Sequence, residues 1–182
     1  DQVGAAIEED LYSKSIFQDV EPALDFFKLP NSTIQFSKYV YTASQKTALI
    51  EIVMQLDELG YNLIAIETSP NSTLNALVYN ERLNTSPDVT WLMLQVDSTC
   101  CRLMSMQGKT YVDGVEERIS IGEVLGDEEN YSTVVSAIQP LLKNLPSQYM
   151  FVVSKTNIIS AEALANKLVY SSPIIHQEAN VF

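Results

Sequence analysis

The sequence predicts a mixed α/β fold in two parts, a small α/β lobe over residues 1–86 and a larger lobe over 87–182 with the order β-β-β-α-β-α-β. Three observations carry this. The first half holds a strongly periodic amphipathic helix next to short strand-like runs. The second half opens with three consecutive strand patterns and then alternates helix and strand. Between them lies Asn84 to Asp88, NTSPD, a polar stretch with a proline that separates two complete patterns.

The elements follow in order. Val3 to Lys14 reads as a helix, with Val3, Ile7 and Leu11 on one face and Gly4 weakening its start. Ala23 to Leu29 is a strand closed by Pro30 and Asn31, and Thr33 to Ala43 is its hairpin partner, with Ile34, Phe36, Tyr39 and Tyr41 as strand formers. Ser44 to Leu59 is the clearest helix, capped by Ser44, apolar at Leu49, Ile52, Val53, Leu56 and Leu59, and ended by Gly60. Asn62 to Glu67, NLIAIE, reads as a buried strand. Pro70 then opens a helix over Asn71 to Asn80 with Leu74, Leu77 and Val78 inward.

In the second lobe Thr90 to Val96 is a strongly apolar strand. Arg102 to Met106 is the next, turning at Gln107-Gly108 into Lys109 to Val112. Glu117 to Ile121 is either a further strand or the same one resumed after a bulge at Asp113-Gly114. Gly122 to Asn130 is a loop. Ser132 caps a helix to Asn144 whose inner face is Val135, Ile138, Leu141, Leu142 and Leu145, and Pro140 bends or splits it. Tyr149 to Ser154 is a buried strand, Ser160 caps a helix through Val169 with Ala161, Leu164, Ala165 and Leu168 inward, and Pro173 to His176 is a last strand. Early strands that meander are antiparallel, and later strands reached through helices are parallel. This is the strand order of a ribonuclease H-like half, the repeating unit of actin-like ATPases.

Composition narrows the function classes. The chain has 182 residues, 46% hydrophobic and 19% charged, within the ordinary globular range. No apolar run reaches the roughly 18 residues that span a bilayer, and no secretory signal is present. The chain begins at Asp1 rather than Met, so it is read as a fragment of a longer protein, with any membrane anchor outside it. A net charge of −12 repels nucleic acid and anionic lipid and suits a basic partner segment. Cys100 and Cys101 are adjacent and point to opposite faces of a strand. With His176 as the single histidine they cannot build a four-ligand zinc site from Cys and His, so they read as reduced thiols of a cytosolic protein, at least one of them buried. The N-x-S/T matches at Asn31, Asn71, Asn84 and Asn130 read as chance.

Several motifs together resemble the actin-like cytoplasmic proteins of type IV pilus assembly, the PilM family, and their relatives in type II secretion. Tyr12 to Val20, YSKSIFQDV, followed by Leu24 to Phe27, LDFF, is similar to the family's tyrosine-to-valine segment and Leu-Asp-Phe strand, with the Ile-Pro-Phe-Pro core replaced. Thr42 to Leu77 is similar to its alanine-rich helix opening, glycine helix end and following strand. Ala163 to Phe182 is similar to its final helix and strand. The resemblance covers nearly the whole chain, but the amino-terminal strands with the first phosphate loop are absent. It implies an actin-like fold and a cytoplasmic place at the bacterial inner membrane. It also implies protein partners: the cytoplasmic tail of a membrane protein, or the motor ATPase.

Departures from the family matter more than the matches. Nucleotide-binding members open the second lobe with Asp-hydrophobic-Gly-x-x-x-Thr, where glycine lets backbone N–H groups reach phosphate oxygens. Here the corresponding residues are Asp97, Ser98, Thr99, Cys100, Cys101 and Arg102. The family's later Ser-Gly-Gly-Gly loop reads Ser154, Lys155, Thr156, Asn157. The stretch from Ile121-Gly122 to Ser132 is short where relatives insert a helical subdomain. All three imply degenerate phosphate loops with no cofactor and no metal, and hence a non-catalytic scaffold. The alternative is an actin-like ATP-binding protein whose remaining contacts lie outside these residues. A third option is an unrelated α/β protein that shares the strand order.

Each sharp reading has a plain competitor. Asp97 is a phosphate or metal ligand, or a turn residue bonded to its own backbone. Lys155 is a phosphate lysine, or a loop lysine without P-loop glycines. His176 is catalytic, or an exposed residue on a terminal strand. Glu8-Glu9-Asp10 binds a basic peptide, or is a solvated helix face. Asp127-Glu128-Glu129 holds a metal, or supports a helix N-terminus. The plain reading is preferred in every case. No Gly-x-Ser-x-Gly elbow supports serine hydrolase chemistry.

Overall fold

In a computed structural model that describes residues 2–14, 17–29, 32, 37–80, 82–84, 86–143 and 145–177, the chain divides into two units, Asp1–Ser69 and Pro70–Phe182. The division falls earlier than the NTSPD boundary. The reason is the helix α3, Ser69–Tyr79, whose Leu77 is fully buried among Val89, Trp91, Met93, Phe151 and Val153. A helix follows the apolar surface that accepts its side chains, and a polar linker marks a boundary only if packing on its two sides is separate.

The first unit holds α1 (Gln2–Tyr12), β1 (Pro22–Lys28), β2 (Tyr39–Gln45) and α2 (Lys46–Glu58). Strands β1 and β2 pair antiparallel from Pro22↔Gln45 to Lys28↔Tyr39, the hairpin that the apolar runs predict. The Phe26 and Tyr39 rings meet edge to face at 6.2 Å. The helix α1 buries Leu11, while Glu8, Glu9 and Asp10 stay on its exposed side. Asp10 pairs with Lys14 at 2.8 Å and accepts from the Tyr41 hydroxyl at 3.0 Å, and chiefly the Lys14 bond holds its carboxyl below the usual range. Ile34 and Phe36 of the expected second strand lie outside the described residues, as do Pro30, Asn31 and Asn144.

Two expectations for this unit change. Ser44 does not cap α2: the ladder runs on through Ala23↔Ser44, so the helix starts only after Gln45, which has no side-chain capping bond. Asn62 to Glu67 is neither a strand nor buried, and α2 before it has no buried residue. Gly60 behaves as expected. Its φ of +80° supports the bonds Gly60 N–H to Asp57 and Tyr61 N–H to Leu56 that close the helix end.

The second unit is built on a five-stranded sheet in the order β5-β4-β3-β6-β7, from β3 (Thr90–Val96), β4 (Cys100–Gln107), β5 (Thr110–Arg118), β6 (Tyr149–Ser154) and β7 (Ile174–Gln177). Strands β3, β4 and β5 form an antiparallel meander, and β6 and β7 join parallel to β3 and to β6. The ribonuclease H-like order expected from the sequence is therefore present. β5 is a single strand, and its pairing with β4 shifts register once, between Ser105 and Met106 of β4.

The central strands β3 and β6 are buried on both faces, which is why β3 reads as an almost wholly apolar run. Alternate residues Leu92, Leu94 and Val96 lie with Leu103, Met150 and Val152 beneath α4 (Glu128–Leu142) and α5 (Ala161–Lys167). The other set, Trp91, Met93, Met104, Met106 and Phe151, lies with Leu77 of α3. Trp91 stacks on Tyr149 with centroids 5.8 Å apart, and its indole N–H donates to the Gly108 carbonyl at 2.8 Å.

Helix α4 begins before Ser132. Asp127 is its N-cap and accepts from the Glu129 N–H at 3.1 Å, with Glu128 and Glu129 in the positive first turn. Ser132 lies inside the helix and donates to the Glu128 carbonyl at 2.9 Å. The buried face is Asn130, Tyr131, Val134, Ile138 and Leu142, one position off the expected set at its start, and the helix runs unbroken through Pro140. Ser160 caps α5 as expected, accepting from the Ala163 N–H at 3.2 Å, but that helix ends at Lys167.

The burial of Leu77 has a measurable consequence. Leu77→Ala should destabilise the second unit by about 2–5 kcal/mol in denaturant unfolding. Leu59→Ala, at a site 72% exposed, should shift stability by no more than about 0.5 kcal/mol. Equal effects would place α3 outside the core of the second unit.

Candidate functional site

The parallel pairing of β3 and β6 sets Val96 beside Ser154, so the turns that leave these strands are neighbours. One is Asp97, Ser98 and Thr99; the other is Ser154, Lys155, Thr156 and Asn157. This is the carboxyl edge of the sheet, where the chain leaves β3 towards one side and β6 towards the other. Open α/β sheets bind ligands at such points. The seven residues singled out in the sequence are thus brought to one edge.

What they do there is bond to themselves. The Asp97 carboxylate accepts from the Ser98 N–H at 2.7 Å, and the Asp97 N–H donates to the Cys100 carbonyl at 2.9 Å. Thr99 offers its carbonyl to the Ile119 N–H at 3.0 Å, tying the turn to the end of β5. The Lys155 N–H donates to the Val96 carbonyl at 2.8 Å. Ser154 is buried. Its hydroxyl donates to the Thr156 carbonyl at 2.8 Å, and the Ile158 N–H donates to the Thr156 hydroxyl at 3.1 Å. A phosphate site needs several N–H groups pointing outward together. Here the Ser98 and Ile158 N–H groups point at side-chain oxygens of their own loops, and those of Asp97 and Lys155 are taken up by the strand-end carbonyls of Cys100 and Val96. Asn157 and Ser98 are exposed, and Lys155 is half-buried.

The loop from β5 to α4 closes the same edge. The buried Asn130 side chain accepts from the Gly122 N–H at 2.7 Å and donates to the Gly122 and Val124 carbonyls, both at 3.2 Å. The Gly126 N–H reaches the Ile158 carbonyl at 3.1 Å, and the Tyr131 hydroxyl accepts from the Ser160 N–H at 3.0 Å. The three segments that depart from the nucleotide-binding pattern are therefore stitched to one another or to the sheet. Asn130 and Tyr131 were not legible as parts of this arrangement. Asn130 reads in the sequence as a loop end and a chance glycosylation match, and no spacing rule connects it to Gly122.

Cys100 and Cys101 are not in the turn. They open β4, on opposite faces, both buried and both free thiols. Burial pushes the Cys101 thiol up to about 12, and burial also raises Cys100. Neither is poised as a nucleophile. His176 is exposed on β7. Glu128 pairs with Lys167 at 2.7 Å. Among the described residues no three His, Cys, Asp or Glu side chains gather as a metal cluster, and no helix is long and apolar enough to cross a membrane.

No family model and no curated protein matches the sequence. A chain of the PilM-PilN type IV pilus biogenesis complex matches in structure with a TM-score of 0.60 at 16% identity, over 96% of this chain and 62% of that one. A Bacteroides thetaiotaomicron protein with an actin-like ATPase fold and unknown function matches with a TM-score of 0.47 at 10% identity, over 92% of this chain and 58% of its own. The likeness to the first establishes the fold: this chain folds like that chain of the PilM-PilN complex. It spans about 62% of that neighbour's length.

The thiols supply a test. Neutral in the fold, Cys101 ionises first in the unfolded chain, so its contribution is complete below the ordinary thiol value of 9.0 and is lost as pH rises towards about 12. Stability should fall across that window, and Cys101→Ala should flatten the fall. At pH 8 neither thiol should react with a disulfide reagent until denaturant is added; rapid labelling of the native protein would contradict the burial.

Proposed function

We propose that this chain is a non-catalytic scaffold domain of an inner-membrane assembly platform for type IV pili or type II secretion. It works at the cytoplasmic face and binds a partner protein. One observation carries the reading. The turns after β3 and β6, where an actin-like ATPase offers N–H groups to phosphate, contain no glycine, and their Asp97, Ser98, Lys155 and Ile158 N–H groups bond to oxygens of the loops or of the adjoining strand ends. The fold likeness to a chain of the PilM-PilN complex supports the assembly context. The net charge of −12 favours a partner segment rich in Lys and Arg, which would bind faster at low salt.

A second reading stays in play because Asp97 directly follows β3, whose last residue Val96 pairs with Ser154, the place from which a carboxylate can face a metal-bound phosphate. In that reading the protein binds ATP, with further contacts supplied outside these residues. Calorimetry with Mg-ATP on the longest available form separates the two. The scaffold reading expects no saturable heat up to millimolar nucleotide. Micromolar binding that Asp97→Ala abolishes would overturn it. Synthetic cytoplasmic tails of the membrane proteins of such a platform should bind at micromolar concentration, weakening as salt rises. No binding by any tail, or by the motor ATPase, would remove the partner assignment.

A further inference from the structure

The turn between β5 and α4 holds an apolar pair out in solvent. Val124 is 64% exposed and Leu125 is 72% exposed. Single apolar side chains on a surface are normal. Two adjacent ones on a fixed backbone are a stronger signal, because a mobile loop can turn such side chains inward and a fixed one keeps them out.

This turn is fixed from three sides. The Val124 carbonyl accepts from the Asp127 N–H at 3.4 Å, which closes a four-residue turn. Gly126 is third in that turn at a φ of +72°, the left-handed conformation that glycine adopts without a Cβ penalty. The buried Asn130 amide donates to the same Val124 carbonyl at 3.2 Å and holds both main-chain groups of Gly122. The Gly126 N–H reaches the Ile158 carbonyl at 3.1 Å, so the turn is also tied to the loop after β6. A surface that is already ordered loses little entropy when a partner covers it.

The surroundings are acidic. Residues 122–129, GEVLGDEE, hold four carboxylates and no Lys or Arg. Glu128 shares its charge with Lys167, and Asp127 to Glu129 also answer the first turn of α4. Glu123 lies outside that helix, and both it and Glu129 are exposed. This ring of charge selects the occupant. Anionic lipid is repelled, and a second copy would bring the same carboxylates to the contact. A protein surface fits if it offers an apolar hollow with Lys or Arg around it. The buried aliphatic anchors then supply affinity, and the rim charges speed encounter and exclude wrong partners.

We propose that the Val124–Leu125 turn is a docking knob of the second unit, received by an apolar hollow with a rim of Lys and Arg on a partner protein. The proposal deepens the scaffold reading, on which it rests for the existence of a protein partner. It gives that partner a point of contact and a chemistry.

Photocrosslinking tests it. Benzoylphenylalanine replaces Leu125 in the longest available form, expressed in its own cells, and cross-linked peptides are sequenced by mass spectrometry. The same residue in place of Tyr79, 87% exposed on α3 over the opposite face of the sheet, is the control. Position 125 should join one partner protein at an apolar residue with Lys or Arg beside it, and position 79 should not. With that partner purified, Leu125→Ser should weaken binding by roughly tenfold or more, the loss expected for one buried leucine. Glu123→Lys and Glu129→Lys together should slow association and remove most of its salt dependence. These substitutions change exposed side chains only, and an unchanged melt followed by Trp91 fluorescence shows that each variant still folds. A cross-link to lipid, to a second copy or to nothing would overturn the proposal. So would a hollow rimmed by acidic residues, or Leu125→Ser binding as tightly as the parent. Partner tails that bind without any contribution from position 125 would sink the docking knob and leave the scaffold reading standing. Micromolar Mg-ATP binding abolished by Asp97→Ala would sink the scaffold reading and leave a cross-link at position 125 standing.

Discussion

The register between β3 and β6 is the constraint from which most of the second unit follows. Two apolar strands lie side by side in parallel, Trp91 to Val96 against Tyr149 to Ser154, and neither can leave the interior without exposing side chains on both faces. Each fully buried aliphatic residue contributes about 1.5–3 kcal/mol, so the pair resists any shift in register. That register decides which groups meet at the carboxyl edge. It sets the Asp97 turn against the Ser154 loop, and it lets the Lys155 amide reach the Val96 carbonyl. The edge inherits its geometry from the core, and its chemistry from a few side chains whose short hydroxyl and carboxylate groups find partners within two residues.

Much of this architecture was legible because burial on both faces leaves a plain trace. The runs TWLMLQV and YMFVVS could be assigned as strands from apolar content alone, and the turn at Gln107-Gly108 follows from glycine, whose φ here is +56°. The helix caps were legible in kind but not always in place. Ser160 does what a serine before an apolar period should do, whereas Ser132 loses to Asp127, because a carboxylate followed by Glu128 and Glu129 answers the helix dipole better. Ser44 loses to the ladder: main-chain pairing with Ala23 outweighs one capping bond.

The same rule misled at NLIAIE. Its composition states what the segment is suited to, and a strand forms only where another strand supplies hydrogen bonds. Local sequence cannot carry that information when the neighbour is distant or missing. The edge turns sit between these cases. The absence of glycine at Ser98, Thr99, Lys155 and Thr156 could be read directly, and so could the shortness of the stretch after Gly122. The bonds that close the edge could not. Asn130 joins Gly122 and Val124 through a side-chain amide whose partners are set by the fold.

Trp91, the single tryptophan of the chain, lies fully buried on β3 against Tyr149. Its emission is therefore a spectroscopic window on one unit alone. A fluorescence melt records the loss of the five-stranded sheet, while the hairpin, α1 and α2 melt in the dark. Circular dichroism in the far ultraviolet, which sums both units, should part company with fluorescence wherever the two unfold separately. The position of one indole thus decides what the simplest stability assay on this protein can see.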